Sequence, residues 1–148
     1  MSRLHELSCE FVSTIPDKLE VGTLYVSMEY ATVVHRCCCG CGNEVVTPLG
    51  PIDWKLTYDG EGISLHPSVG NWSFKCRSHY WVKSNKILWE GDMTDEKIRQ
   101  VREIDKLNKK LYFDSHPMNT QGNASKKSIA QPKKRFIIWG IIRKWFTR

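Results

Sequence analysis

Acidic residues are missing from the C-terminal part of this 148-residue chain. None of its 16 Asp and Glu residues lies after Asp114, whereas eight of its 22 Lys and Arg residues do. The net charge of +6 therefore belongs to that C-terminal part, because residues 1–114 are slightly acidic. This distribution excludes a basic surface over the whole protein and argues against nucleic acid as a partner.

Long apolar runs are missing as well. The N-terminal residues contain no apolar segment of the kind found in signal peptides. The longest apolar run near the C-terminus, residues 136–142, is far shorter than the roughly 20 residues that a membrane helix needs. The cysteines lack the dispersed spacing of a disulfide framework, since four of the six lie between Cys37 and Cys41. We therefore expect a cytoplasmic protein with reduced thiols.

Short alternating patterns of β-branched and aromatic residues predict a β-rich body over residues 1–113. Single strands are predicted at 24–26, 32–34 and 44–47, and hairpins at 54–66 and 80–89. From Thr94, a plausible N-cap, apolar residues recur every three or four positions, which predicts an amphipathic helix over 94–113. The expected fold class is α+β, a small β-rich domain with hairpins followed by one helix.

Two further segments follow the predicted helix. Residues 114–132 are rich in Ser, Asn, Gln, Lys and Pro and predict a flexible linker. Residues 133–148 form a basic tail in which a helix would place Ile138, Ile141 and Trp145 on one face. Such a tail suits an anionic membrane surface, which would hold the protein at the membrane periphery, or an acidic apolar groove on another protein. The alternative is that it packs onto its own domain.

Metal-binding residue types are concentrated in two short segments. A structural zinc ion needs four ligands that converge from short, stiff pieces of chain. The first segment supplies Cys37, Cys38, Cys39 and Cys41, and the second supplies Cys76 and His79. Because the 54–66 hairpin lies between them, it can bring the two segments together. Either Cys38 or Cys37 could pair with Cys41, and the alternative to a zinc site is a group of buried, inert thiols.

Several segments together resemble a bacterial domain-of-unknown-function family over about residues 10–90. They are Leu24-Tyr25-Val26-Ser27, His35-Arg36-Cys37-Cys38-Cys39-Gly40-Cys41-Gly42, Trp54-Lys55-Leu56, Ser64-Leu65-His66-Pro67-Ser68-Val69-Gly70-Asn71-Trp72 and Cys76-Arg77-Ser78-His79-Tyr80-Trp81. In that family the first segment usually carries proline where this chain has Cys38. The resemblance therefore implies Cys37, Cys41, Cys76 and His79 as ligands of a structural zinc ion, with Cys39 in reserve.

The same resemblance implies a biological setting. Members of the family occur beside bacterial genes for ubiquitin-like proteins and their activating and conjugating enzymes. Such a system needs a peptidase that trims the modifier or removes it from its targets. The implied partners are thus a ubiquitin-like protein or its conjugation enzymes. A non-enzymatic, zinc-stabilised adaptor that binds these partners is the alternative.

A serine peptidase requires a nucleophile within hydrogen-bond reach of an oriented base. The candidates are Ser68 or Ser64 as nucleophile, His66 or His79 as base, Asp53 or Asp59 as orienting group, and the Gly70 amide as oxyanion donor. His79 cannot be both a base and a neutral metal ligand, so the two roles compete. Ser68 could instead be an ordinary turn residue, and a catalytic zinc ion with Glu44 or Glu61 as base is a further alternative.

Overall fold

The computed structural model describes residues 2–117, which contain eight strands and one helix. The strands form two four-stranded, mostly antiparallel sheets, ordered β1-β2-β3-β4 and β5-β6-β7-β8. Their bounds are β1 Ser8–Phe11, β2 Thr23–Ser27, β3 Thr32–Arg36, β4 Glu44–Pro48, β5 Lys55–Tyr58, β6 Ile63–Gly70, β7 His79–Lys83, β8 Lys86–Trp89 and α1 Asp95–Ser115. The α+β prediction is confirmed. The predicted tail at 133–148 lies outside the described residues.

The first sheet carries the cysteine-rich loop at one end. Its strands β2, β3 and β4 pair antiparallel, and β1 joins β2 in parallel. All five residues of β2 are buried, as expected for a strand of Val, Leu and Tyr that is covered on both faces. Residues 37–43 connect β3 to β4, so the sheet holds both ends of this loop.

The second sheet is an antiparallel meander whose longest strand is irregular. Leu65 of β6 lies opposite Val82 of β7, but Val69 lies opposite Tyr80. Three residues of β6 therefore face one residue of β7, which is a bulge of the kind that redirects side chains. Ser68 belongs to this irregular segment.

Buried side chains from both sheets pack together in the larger of two hydrophobic clusters. Leu24, Val26 and Val33 of the first sheet belong to it, together with Ile63 and Val82 of the second. This packing of the two sheets against each other brings the β3–β4 loop close to the chain segment that precedes β7.

Helix α1 is held mainly by polar contacts at its edges. Thr94 caps its N-terminus, where the side chain accepts a hydrogen bond from the Lys97 amide, and Lys109 forms an ion pair with Asp53. Ile98 is its one buried residue, while the apolar residues of the later turns are exposed. In the part of the chain that the structure describes, no helix is long and apolar enough to cross a membrane.

Candidate functional site

Four thiols converge where the two sheets meet. The sulfur atoms of Cys37, Cys39, Cys41 and Cys76 all lie within 4.8 Å of one another. Cys76 Sγ is 4.0 Å from Cys37 Sγ and 3.7 Å from Cys41 Sγ. Zinc–sulfur bonds of about 2.3 Å in a tetrahedron separate the sulfurs by about 3.8 Å. The cluster therefore has the dimensions of a tetrathiolate metal site, and its cysteines are free rather than disulfide-bonded.

The β3–β4 loop is curled so that every second residue points toward the thiol cluster. The Cys37 amide donates to the Asn43 carbonyl across 2.8 Å, which closes the loop at its base. Gly40 and Gly42 have φ values of +83° and +80°, in the left-handed region where a side chain would be strained. Backbone N–H groups two residues further along act to lower the pKa of the Cys37, Cys39 and Cys41 thiols.

Burial and hydrogen bonds act in opposite directions on these thiols. Burial raises the pKa of Cys37 and of Cys39. Burial also opposes ionisation of Cys41, but hydrogen bonds with Asn43, Cys39 and Cys76 outweigh it and lower the pKa of this thiol to about 7. A bound cation would be needed to hold all four groups as thiolates. The donor set is the soft, all-sulfur type that zinc prefers.

His79 lies beside this cluster but faces a serine. Its Nε2 atom is 2.9 Å from Ser68 Oγ, and its Nδ1 atom is 3.1 Å from the Gly91 carbonyl oxygen. A carbonyl oxygen only accepts hydrogen bonds, so we assign the imidazole proton to Nδ1. Nε2 then presents a lone pair to the Ser68 hydroxyl. This is the geometry of a nucleophile with an oriented general base.

The sheet register places the two side chains together. Gly70 lies opposite His79, and Ser68 is two residues earlier on the same strand. Because side chains two residues apart share a face of a sheet, Ser68 and His79 are diagonal neighbours. The Trp72 ring packs 5.0 Å from the His79 ring. Gly70 makes room for that ring, since a Cβ atom there would lie 2.4 Å from Trp72 Nε1.

A known protein family matches the chain. A family model described as "Bacterial ubiquitination-like system serine protease (BubE)" matches residues 11–90, more than half of the chain. The chain belongs to this family. Both the thiol cluster and the Ser68–His79 pair lie inside the BubE match, and the resemblance inferred from the sequence is confirmed. No curated protein and no solved structure matches the chain.

The other side chains that the sequence offered for catalysis lie in different surroundings. Ser64 Oγ accepts a hydrogen bond from the Ser84 amide at 2.9 Å. His66 is exposed and packs its ring 5.8 Å from that of Trp81. Of the two aspartates considered as orienting groups, Asp53 pairs with Lys109, and Asp59 accepts from the amides of Glu61 and Gly62.

The remaining metal candidates divide between cluster and core. Cys37, Cys41 and Cys76 come together as the sequence suggested, and Cys39 occupies the position next to them. Cys38 points into the core, where burial raises its pKa to about 12. The Gly91 carbonyl was not anticipated from the sequence, because a backbone acceptor has no residue-type signature.

Proposed function

We propose that the protein is a serine peptidase of a bacterial ubiquitin-like modification pathway. Ser68 is the nucleophile, His79 the general base, and the Gly91 carbonyl the orienting group. The observation that carries this proposal is the 2.9 Å contact between Ser68 Oγ and His79 Nε2, with Nδ1 held on its far side. The description of the family as a serine protease supports it.

The proposed reaction follows from this arrangement. Ser68 Oγ attacks the carbonyl carbon of a peptide or isopeptide bond while its proton moves to His79 Nε2. The resulting imidazolium keeps its Nδ1–H bond to Gly91 and passes the new proton to the leaving amine. Water then hydrolyses the acyl-enzyme, with His79 again taking the proton. Ser68 is regenerated and the new carboxyl terminus leaves.

A nearby carboxylate favours the charged intermediate. A hydrogen bond from Arg77 holds the pKa of Asp92 below its ordinary value. Arg77 also binds Asp95 and the Met93 carbonyl, so it fixes the segment that follows Gly91. Asp92 therefore stays ionised near the imidazolium that forms during each proton transfer.

We propose that Cys37, Cys39, Cys41 and Cys76 hold a structural zinc ion, with Cys39 as fourth ligand in place of His79. Four sulfurs close the coordination sphere, so the zinc ion would have a structural and not a catalytic role. It would cross-link the β3–β4 loop to the segment before β7. His79 is left free for its contact with Ser68. A cytoplasmic location would keep these thiols reduced.

An adaptor without catalytic activity is the second candidate. Exposed apolar residues on α1 favour it, because they offer a surface to a ubiquitin-like protein or a conjugation enzyme; Val101, Ile104, Leu107 and Leu111 are the residues concerned. The tail at 133–148, which lies outside the described residues, is the segment we propose for a membrane surface or an acidic protein groove.

Cleavage of a modifier precursor distinguishes the two candidates. Zinc-loaded full-length protein is incubated with a ubiquitin-like protein that carries a C-terminal extension, and the products are analysed by mass spectrometry. We expect cleavage by the wild type and by Ser64→Ala, and a loss of at least about 100-fold in Ser68→Ala and His79→Ala. Full activity of Ser68→Ala would contradict the proposal, and inactive wild type would favour the adaptor.

A further inference from the structure

A buried hydroxyl lies against the thiol cluster. Ser78 Oγ is 3.1 Å from Cys37 Sγ and 3.6 Å from Cys76 Sγ. The side-chain amide nitrogen of Asn71 lies 2.9 Å from the same hydroxyl oxygen. An amide nitrogen only donates, so the Ser78 oxygen accepts from Asn71 and its own proton is free to bind sulfur. The result is a directed chain of hydrogen bonds from Asn71 through Ser78 to Cys37.

This chain is built into the interior rather than the surface. Ser78 is 6% exposed and Asn71 is 8% exposed. The Asn71 amide nitrogen also lies 3.7 Å from Cys37 Sγ and 3.5 Å from the Tyr80 hydroxyl. Burying such groups is costly unless their hydrogen bonds are made. A metal-bound thiolate at Cys37 is the acceptor that would best satisfy both the Asn71 amide and the Ser78 hydroxyl.

The same two residues directly follow and precede the strands that carry the proposed catalytic groups, because Asn71 comes after β6 and Ser78 before β7. The Asn71 amide donates to the Ser78 carbonyl across 2.9 Å, which continues the pairing of β6 and β7 just beyond their ends. The adjacent pair in the sheet is Gly70 with His79, and Ser68 lies two residues before Gly70 on β6. A cleft of about 140 Å³ is lined by Cys39, Cys76 and His79, so two of the thiols and the imidazole face the same space.

We propose that Asn71 and Ser78 are positioning residues that connect the Cys37 thiolate to the strands bearing Ser68 and His79. They hold the thiolate by hydrogen bonds from outside the coordination sphere, and the bound zinc in turn fixes the register of the strand pair. The catalytic half of this inference rests on the proposed peptidase function. The half that concerns zinc retention stands without it.

Zinc release tests the first half. Zinc-loaded full-length Ser78→Ala and Asn71→Ala are mixed with a chromogenic zinc chelator, and the rate of metal transfer is recorded. We expect release about 10-fold or more faster than in the wild type, because loss of such partners costs about 10–100-fold in metal affinity. Ser78→Thr, which retains a hydroxyl, should restore slow release. Equal rates in wild type, Ser78→Ala and Asn71→Ala would overturn the inference.

Ser27→Ala is the matched control. Ser27 is also a fully buried serine, and its hydroxyl donates to the Ser13 carbonyl at 3.0 Å in the other sheet. Its loss should lower stability without speeding zinc release. A cobalt-substituted protein adds a spectroscopic readout, since the sulfur-to-cobalt absorption bands should shift in Ser78→Ala and stay unchanged in Ser27→Ala. Release that is equally fast in Ser27→Ala would reduce the effect to general destabilisation and overturn the inference.

Activity tests the second half separately. Zinc-loaded Ser78→Ala should cleave a modifier precursor at least about 10-fold more slowly than Ser27→Ala, because loss of the hydrogen bond to Cys37 loosens the strands that bear Ser68 and His79. Fast zinc release with unchanged cleavage would overturn the connection to catalysis. Inactive wild-type protein would overturn the proposed function itself, and the zinc-release comparison would still decide whether Asn71 and Ser78 hold the thiolate.

Discussion

Gly70→Ala is the substitution whose effect the structure specifies most directly. A Cβ atom at residue 70 would lie 2.4, 2.7 and 2.9 Å from three atoms of the Trp72 indole ring. Such separations are impossible, so the ring must move away from its place 5.0 Å from the His79 ring and 5.9 Å from the Arg77 guanidinium. Gly70 is not among the glycines with positive φ, so the effect is steric and not a matter of backbone strain.

The expected magnitude follows from two opposing contributions. Forcing extra atoms into a packed site costs about 1–3 kcal/mol, whereas replacing glycine by alanine in a compatible backbone gains about 0.4–1 kcal/mol through the unfolded state. We therefore expect Gly70→Ala to lower the free energy of unfolding by about 1–2 kcal/mol. Cleavage by the Ser68–His79 pair should fall as well, because Trp72 packs against the base.

A double-mutant cycle in urea checks this reasoning. In a Trp72→Leu background the obstructing ring is gone, so Gly70→Ala should become neutral or slightly stabilising. The difference between the two backgrounds measures the steric contact alone. If Gly70→Ala has the same effect on the free energy of unfolding in both backgrounds, the packing of Trp72 over Gly70 is refuted.

Two other predictions concern the metal centre and a buried histidine. Cys39→Ala should lose stoichiometric zinc by elemental analysis, whereas Cys38→Ala should retain it; full zinc in Cys39→Ala would exclude this residue as a ligand. Burial lowers the pKa of His35 to about 4, so between pH 4 and 6.5 the unfolded state binds a proton that the folded state does not. The buried, neutral His35 should therefore lower the free energy of unfolding of the wild type by about 2 kcal/mol when the pH falls from 7 to 5. His35→Gln should lack that part of the pH dependence in urea unfolding, and equal slopes would contradict it.

Local sequence signals account for most of the fold. The hairpins were predictable from alternation around Asp59-Gly60 and around residues 83–86, and α1 from its N-cap and periodicity. Strand β1 lacks a sequence signal because its four residues are largely exposed and pair with β2 in parallel rather than through a hairpin. The end of β6 has no strand signal of its own, since Pro67, Ser68 and Gly70 are turn-forming types whose place in the sheet depends on pairing with β7.

The candidate site was predictable in composition but not in partnership. Spacing pointed to the two segments that supply the cluster, and the family resemblance selected three of its thiols, Cys37, Cys41 and Cys76. Cys76-x-x-His79 also suits a metal, so the spacing placed His79 in that set. What separates His79 from the thiols is the register of β6 on β7, which places it diagonally from Ser68. Register is fixed by long-range pairing, and the position of the Gly91 carbonyl likewise depends on the chain path after β8.

Covalent labelling of Ser68 tests the central claim most directly, because it requires no knowledge of the natural substrate. Zinc-loaded full-length protein is treated with a fluorophosphonate, which reacts with activated serines, and the modified residue is located by peptide mass spectrometry. The proposed mechanism predicts an adduct on Ser68 that forms at least about 100-fold more slowly in His79→Ala. An adduct on Ser64 instead, or an unmodified Ser68 in folded wild-type protein, would contradict it.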